Sequence, residues 1–172
     1  MATNESRERA VVAQPLSEDA WEPFGWLPVA DTDPQDGKQR MTFEWDDAHV
    51  NLIGHGRREV PATADGYRCE MLYRHDTHTQ SLMPLNVPAV IAVAPADIEF
   101  TGEGDAGMIR AFRLEPLEPL VLHRGTWHWG PFPILGDEVR LFNVQGLRYA
   151  EDNRCVDLAA RGLSVDVDLR PK

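Results

Sequence analysis

Nine consecutive residues, HRGTWHWGP at 123–131, bring together the side chains of this sequence that are best suited to chemistry. They include two imidazoles, His123 and His128, on either side of Gly125, a residue type that permits a tight turn. An imidazole can bind a metal ion or transfer a proton close to neutral pH. The segment therefore predicts part of a catalytic or metal site, with His128 as its leading candidate.

A second group of such side chains lies in YRHDTHTQSLMP at 73–84. The segment that leads into it, RCEMLYRH at 68–75, has the composition of a β-strand, in which alternate side chains point to the same face. Met71, Tyr73 and His75 therefore share one face. If Met71 marks the interior of the fold, Tyr73 and His75 also point inward.

The elements that must position these side chains are short β-strands. Eight segments are rich in Val, Ile, Leu and Phe and are separated by Gly, Pro and Asp, a pattern typical of strands. They are MTFEW (41–45), HVNLIGH (49–55), RCEMLYRH (68–75), VPAVIAVAP (87–95), MIRAFRLE (108–115), PLVLHRG (119–125), VRLFNVQG (139–146) and LSVDVDLR (163–170). Many short strands with little helix predict an all-β sandwich or barrel, and a small closed barrel can hold one small ligand.

The rest of the chain is assigned from its turn and capping residues. Residues 1–14 predict a flexible N-terminal tail. PLSEDAWEPFG (15–25) predicts one short helix, because Ser17 can cap it and acidic residues follow. ADTDPQDGKQ (30–39) predicts a loop. Since a chain of 172 residues suits one domain, we expect residues 15–172 to form a single domain.

Composition and charge exclude several classes of partner. The net charge of -11 argues against nucleic acid, whose phosphates need a basic face. The longest apolar stretch, VPAVIAVAPA, is about half as long as a membrane span. The two cysteines, Cys69 and Cys155, form no close-spaced pair, and the first residues do not resemble a secretion signal. We therefore expect a cytoplasmic protein that acts on a small molecule.

Both chemically rich segments resemble the conserved motifs of cupin barrels. In the second cupin motif a glycine turn is followed three residues later by a metal-binding histidine, and Gly125 and His128 occupy these positions. In the first motif two ligands at alternate positions are followed by an acidic residue. Tyr73 and His75 occupy the paired positions and Gln80 the acidic one. The resemblance implies an all-β cupin (RmlC-like jelly-roll) barrel with a short N-terminal helix.

Five segments, taken in order, are similar to those of one cupin branch, the ureidoglycolate lyase family. They are PLSEDAWEPFG, LIGHGRRE, YRHDTHTQSLMP, LHRGTWHWGP and DNRCVD. Together they span roughly residues 15–157. The resemblance implies a carbon–nitrogen lyase of allantoin degradation, in purine metabolism, and a homodimer.

The reaction that this family name implies is the elimination of urea from ureidoglycolate, which leaves glyoxylate. It needs a base for the hydroxyl proton, an acid for the departing nitrogen and a cation for the carboxylate. The catalytic candidates are His128, His75, His123 and Tyr73. The substrate-binding candidates are Arg57, Gln80 and Trp127.

A metal ion is a further implication of the cupin motifs. His75, Gln80 and His128 are its candidate ligands, and nickel, zinc and manganese are compatible with imidazole and oxygen donors. A metal-free site is the alternative.

His123 is either the base or only a hydrogen-bonding partner of a reacting group. The remaining histidines are assigned to surface or structural positions; they are His49, His55 and His78.

The sequence departs from the family segments within the candidate site. Tyr73 stands where the family has glutamate, Trp129 where it has histidine and Gln145 where it has aspartate, while Asp76 and His78 replace proline and glycine. Two other functions therefore stay open. One is a non-catalytic cupin that binds or senses a small carboxylic acid, and the other is a metal-dependent cupin isomerase or oxygenase.

Overall fold

The computed structural model of this protein describes residues 8–30 and 39–170. Within these ranges the chain is mostly β-structure. The strands are β1 Glu8–Pro15, β2 Gly25–Trp26, β3 Ala48–Gly56, β4 Gly66–Cys69, β5 Met71–Arg74, β6 Gln80–Pro84, β7 Ala89–Ala94, β8 Arg110–Leu114, β9 Leu120–Leu122, β10 Trp127–Pro133, β11 Glu138–Gly146, β12 Arg154–Asp157 and β13 Ser164–Asp168. The helices are α1 Glu18–Trp21 and α2 Glu103–Ala106, and short 3-10 turns occur at Arg57–Glu59, Tyr149–Asp152 and Ala159–Arg161.

The strands form two sheets. The larger sheet has eight strands in the order β12-β5-β10-β7-β8-β1-β13-β4, and the smaller has five in the order β2-β9-β6-β11-β3. Paired strands are antiparallel except that β1 runs parallel to both β8 and β13. Two such sheets packed on a common core form a jelly-roll sandwich, which confirms the predicted all-β cupin-like fold.

Strand β7 lies at the centre of the core because all six of its residues are buried. Ile91 and Val93 pack with Phe112 of the larger sheet and Leu141 of the smaller sheet. Val90 packs into a second cluster on the opposite face of β7. A strand that is buried on both faces reads as a continuous apolar run, which is why VPAVIAVAP was an unambiguous strand in the sequence.

The short N-terminal helix is confirmed but is smaller than the predicted segment. It covers only Glu18–Trp21, and Ser17 precedes it in an extended conformation without a capping side-chain bond. Trp21 is fully buried and its Nε1 donates to the backbone oxygen of Val121 at 3.0 Å. Gly25 starts β2, where an added Cβ would lie 1.7 Å from that same oxygen. Close contact between β2 and β9 therefore requires glycine here.

Three local predictions were wrong. Residues 8–14 belong to β1 and not to a flexible tail, because β1 bonds to β13 and β8 on its two sides. MTFEW is not a strand and contributes only an isolated bridge between Phe43 and His78. RCEMLYRH is two strands, β4 and β5, which pair with different neighbours. The predicted loop at 30–39 lies mostly outside the described residues.

Two strands that carry candidate site residues were missed in the sequence. They are β6, which begins at Gln80, and β10, which contains His128. Their compositions, QSLMP and WHWGPFP, combine polar residues, glycine and proline, which are depleted in strands. The turn glycine before β10 was predicted correctly, since Gly125 has a φ of 76°.

Candidate active site

One cavity of about 450 Å³ is lined by side chains of both sheets. The contributing strands are β3, β4, β5, β6, β10 and β11, and the loops around residues 59–61 and 149–153 also contribute. Met71, Tyr73 and His75 all line it, which confirms that their shared face points inward. His128 and Gln80 line the same cavity, so the two chemically rich segments meet here.

His128 is buried on β10 and is held in one protonation state. Its Nδ1 lies 3.1 Å from the backbone oxygen of Thr126. Since a carbonyl oxygen only accepts hydrogen bonds, this nitrogen carries the proton. Burial, together with the nearby His75, lowers the pKa of His128 to about 3. At neutral pH the ring is therefore uncharged, and its Nε2 carries a free lone pair.

His75 follows β5 and repeats this arrangement. Its Nδ1 lies 2.9 Å from the backbone oxygen of Asp152, so Nδ1 is the donor and Nε2 the acceptor. Burial lowers the pKa of His75, although the carbonyl and carboxylate of Asp152 and the carboxylate of Asp76 oppose this effect. The ring centroids of His75 and His128 are 5.4 Å apart. Two neutral imidazoles thus present lone pairs at one end of the cavity.

Gln80 adds an oxygen donor at this end. Its Nε2 donates to Oδ1 of Asn143 at 2.9 Å and to Oε1 of Gln145 at 3.3 Å. Asn143 in turn donates to Asn51 at 2.7 Å, which fixes the direction of this amide chain. Oε1 of Gln80 is buried and has no hydrogen-bond partner among the described residues. A buried acceptor without a partner costs free energy, so it marks a place for a ligand or an ion.

The imidazole of His78 is in contact with that of His75. The two rings are stacked, with centroids 4.5 Å apart and planes inclined by 22°. Its Nδ1 is 3.4 Å from the Asp152 carboxylate. Burial and the neighbouring His75 lower the pKa of His78 to about 4. Ligand atoms of His75, His78 and Asp152 lie within 4.8 Å of one another, so this group is a possible metal site.

Asp152 connects the loop after β5 to the turn that precedes β12. Its carboxylate accepts the backbone N–H of Asp76 at 3.0 Å and that of Thr77 at 2.7 Å, and the Thr77 hydroxyl donates to it as well. Burial alone raises the pKa of this carboxyl, but the bonds from Thr77 and Asp76 outweigh it and keep the pKa low. Asp152 therefore fixes the residues that immediately follow His75.

His55 is a cavity residue that the sequence analysis had assigned to the surface or to a structural role. Its Nδ1 lies 2.8 Å from the backbone oxygen of Pro131, and its ring packs 5.2 Å from that of Phe132. The alternation of β3 could have indicated that His55 points inward, because Ile53 and His55 share the face that lines the cavity. Hydrophobicity did not distinguish the two faces of this strand, because Leu52 on the other face is also apolar although it is exposed.

Three predicted site residues contribute nothing to the lining of this cavity. Arg57 is exposed, and its Nη2 donates to the backbone oxygen of Ile134 at 2.7 Å. His123 is exposed and packs against Trp26, with ring centroids 5.4 Å apart. Trp127 is buried in the core beneath the guanidinium of Arg74, which lies 4.5 Å from its ring centroid. Tyr73 does line the cavity and is 37% exposed at its mouth.

Charged side chains also line the cavity. They are Glu59, Glu70 and Arg68. The guanidinium of Arg68 is paired with the carboxylate of Asp166 at 2.8 Å. The positive charge that a carboxylate ligand requires is thus already neutralised in this part of the cavity.

The sequence is similar to proteins of one family. The family model for ureidoglycolate lyase matches residues 30–164. A protein of Pseudomonas entomophila (strain L48) named ureidoglycolate lyase is 31% identical over 151 residues, which cover 77% of this chain and 80% of the relative. A second protein of that name, from Chelativorans sp. (strain BNC1), is 30% identical over 140 residues, covering 76% of this chain and 81% of the relative. A third, from Pseudomonas fluorescens (strain Pf0-1), is 28% identical and covers 86% of this chain and 89% of the relative.

A jelly roll whose two motif histidines converge inside the sandwich is a cupin-like protein, as the sequence predicted. The family comparison specifies the branch, and the chain belongs to the ureidoglycolate lyase family. It is therefore an enzyme of the lyase class. Within residues 8–30 and 39–170, no helix is long and apolar enough to cross a membrane.

The neutral histidines predict that the metal-free protein loses stability in acid. The unfolded chain binds protons at these rings below about pH 6.5, whereas the folded chain keeps His78 neutral to about pH 4 and His128 to about pH 3. Stability is therefore complete above pH 6.5 and falls as the pH is lowered, by up to about 1.4 kcal/mol per pH unit for each ring. Urea unfolding between pH 7.5 and 5 in the presence of a chelator measures this slope.

The variants for this experiment are His128→Gln and, as a control that removes no titrating group, Leu135→Gln at an exposed leucine. The first should reduce the pH dependence by about one proton, because the buried titrating group is gone. The second should leave the slope of the wild type. Equal slopes for the wild type and His128→Gln would show that the His128 ring is not held neutral.

The contacts of Asp152 predict that it determines the tautomer of His75. Asp152→Ala removes the acceptor of two backbone N–H groups and a hydroxyl, which releases the loop and weakens the bond from His75 Nδ1. We expect the ¹⁵N NMR signals of the His75 ring to change from a single Nδ1–H form to a mixture. Asp152→Asn retains an acceptor oxygen and should have a smaller effect. Unchanged ring signals in Asp152→Ala would contradict this role.

Proposed function

We propose that this chain cleaves ureidoglycolate to glyoxylate and urea in the cavity that contains His75, Gln80 and His128. The observation that carries the proposal is that two imidazoles with Nδ1 bonded to the backbone line one cavity with the buried, unpartnered amide oxygen of Gln80. Membership of the ureidoglycolate lyase family supports the substrate, because proteins bearing that name match most of the chain.

We assign a divalent metal ion, nickel, zinc or manganese, to His75, Gln80 and His128. Imidazole nitrogens and an oxygen donor fit these ions, and both rings are oriented by a backbone carbonyl at Nδ1, as metal-binding histidines usually are. The alternative group with Asp152 fits less well, since its carboxylate already accepts two backbone N–H groups and a hydroxyl. A divalent ion held by these residues would supply Lewis-acid activation of the substrate hydroxyl.

The other cavity residues supply the proton transfers. His55 donates through Nδ1 to Pro131, so its Nε2 is free to accept the proton of the substrate hydroxyl. The hydroxyl of Tyr73 at the cavity mouth can donate a proton to the departing urea nitrogen.

Arg57 lies outside the cavity lining and Arg68 is paired with Asp166. We therefore assign the substrate carboxylate to the imidazole end and not to an arginine.

His128→Ala tests the proposal. Loss of this ring should lower kcat for glyoxylate and urea release by at least about two orders of magnitude, the effect expected for an acid/base group or ligand. The assay supplies nickel, manganese or zinc, and the metal content of each protein is measured alongside. His49→Ala is the matched control, since His49 stacks on Tyr149 and is not among the residues that line the cavity. A wild-type protein that releases neither product with any of these ions would refute the lyase and favour a binding module.

We also propose a homodimer that forms through the outer face of the smaller sheet. Val50, Leu52 and Phe142 are 57%, 69% and 37% exposed there, and Phe142 lies opposite Leu52 in the register of β11 and β3. Strand β3 is an edge of this sheet among the described strands, and edges of this kind are usually covered. Adjacent exposed apolar side chains favour association.

Light scattering at micromolar concentration tests the dimer. We expect twice the chain mass of 19.4 kDa for the wild type and 19.4 kDa for Leu52→Glu, because a charge at the centre of the face is costly to bury. Leu135→Glu, at another exposed leucine, should remain dimeric. A wild-type mass of 19.4 kDa would contradict the proposal.

A further inference from the structure

We propose that the preferred substrates of this cavity are 2-acylamino-2-hydroxyacetates, in which an uncharged apolar acyl group replaces the carbamoyl group of ureidoglycolate. The inference rests on the proposed function, because the same carbon–nitrogen bond of the same kind of carbinolamide is broken. It specifies the substrate class of the site described above and does not invoke a second site.

The size of the cavity is the first argument. Its volume of about 450 Å³ lies in the range of about 300–1,000 Å³ that is typical of sites for drug-sized ligands. Ureidoglycolate carries only a carboxylate, a hydroxyl and a urea group on one carbon, and it fills a small part of that space. The unfilled part is a continuous extension of the imidazole end and can accept a larger substituent.

The walls of the cavity change in character along its length. One end holds His75, Gln80 and His128. From His55 the wall continues as aromatic rings, since Phe132 lies 5.2 Å from His55 and 4.5 Å from Trp129. The other apolar lining residues are Ile53, Val60, Met71 and Leu82. An apolar substituent that contacts this wall is removed from water, which stabilises the complex in proportion to the buried area.

Two aromatic side chains, those of Tyr73 and Trp129, also line the cavity. Their rings add apolar surface that a larger substituent can cover.

The charges of the lining define the acyl group further. Glu59 and Glu70 line the cavity, and Arg68 is paired with Asp166. A second carboxylate on the substituent would meet like charges without a compensating cation, which disfavours it. The group that fits is therefore uncharged and apolar, such as an aromatic acyl group.

The reaction balances without a further reactant. In R–CO–NH–CH(OH)–COO⁻ the hydroxyl loses its proton, the C–N bond breaks and the oxygen forms the aldehyde C=O. The departing nitrogen receives one proton. The products are the primary amide R–CO–NH2 and glyoxylate. Ureidoglycolate is the case in which R is an amino group, so glyoxylate release reports on both substrates.

The experiment compares kcat/KM for ureidoglycolate and for 2-benzamido-2-hydroxyacetate in the metal-supplemented full-length protein. We expect the benzamido compound to be the better substrate by at least about tenfold, the discrimination that one well-packed apolar group provides. Equal or better cleavage of ureidoglycolate would overturn the inference and leave the proposed function intact. Release of glyoxylate from neither compound would overturn both.

Variants of the cavity wall test where the preference arises. Trp129→His and Tyr73→Glu each replace apolar ring surface of the lining by an ionisable side chain, and each should lower the ratio of the two kcat/KM values by about tenfold. Tyr73 is 37% exposed, so its variant tests the inference even if the buried Trp129 variant does not fold. The control is Trp45→His, at a tryptophan that is 48% exposed and does not line the cavity. An unchanged ratio in Tyr73→Glu would overturn the inference.

Discussion

The site depends on hydrogen bonds that run from imidazole rings to backbone carbonyls. His55, His75 and His128 each have Nδ1 within 3.1 Å of a main-chain oxygen. A carbonyl oxygen can only accept, so each Nδ1 carries a proton, and the neutral rings of His75 and His128 offer their lone pairs at Nε2. Because the acceptors are main-chain oxygens, the path of the chain determines which nitrogen of each ring donates.

Strand β3, which lines the cavity, has the reverse of the usual amphipathic pattern. On β3 the inward residues include His55, whereas Val50 and Leu52 point outward and are 57% and 69% exposed. Exposed apolar side chains on β3 contribute little to the stability of the fold. The main apolar packing is at β7, which is buried along its whole length and packs on both faces. The fold thus separates an apolar centre, which stabilises it, from polar strands at one end, which form the site.

The same separation explains how substrate preference can change while the family fold remains. The imidazole end is held by backbone bonds and by the carboxylate of Asp152 behind it. Tyr73 and Trp129 line the cavity, and Tyr73 is not among the residues that hold these rings. A substitution at Trp129 alters the surface that a substituent contacts, while the rings of His75 and His128 keep their bonds to the backbone.

The sequence by itself determined the fold class and the two motifs. Apolar runs such as VPAVIAVAP identified the central strand, and strand alternation placed Tyr73 and His75 on the inward face. Only the tertiary structure decided which other residues share the cavity, because a side chain's neighbours across a sandwich come from strands distant in sequence. It brought His55 of β3 next to Phe132 of β10 and placed Arg57 outside the lining. Local pattern encodes the direction of a side chain relative to its own strand, whereas the register and curvature of the sheets decide what it meets.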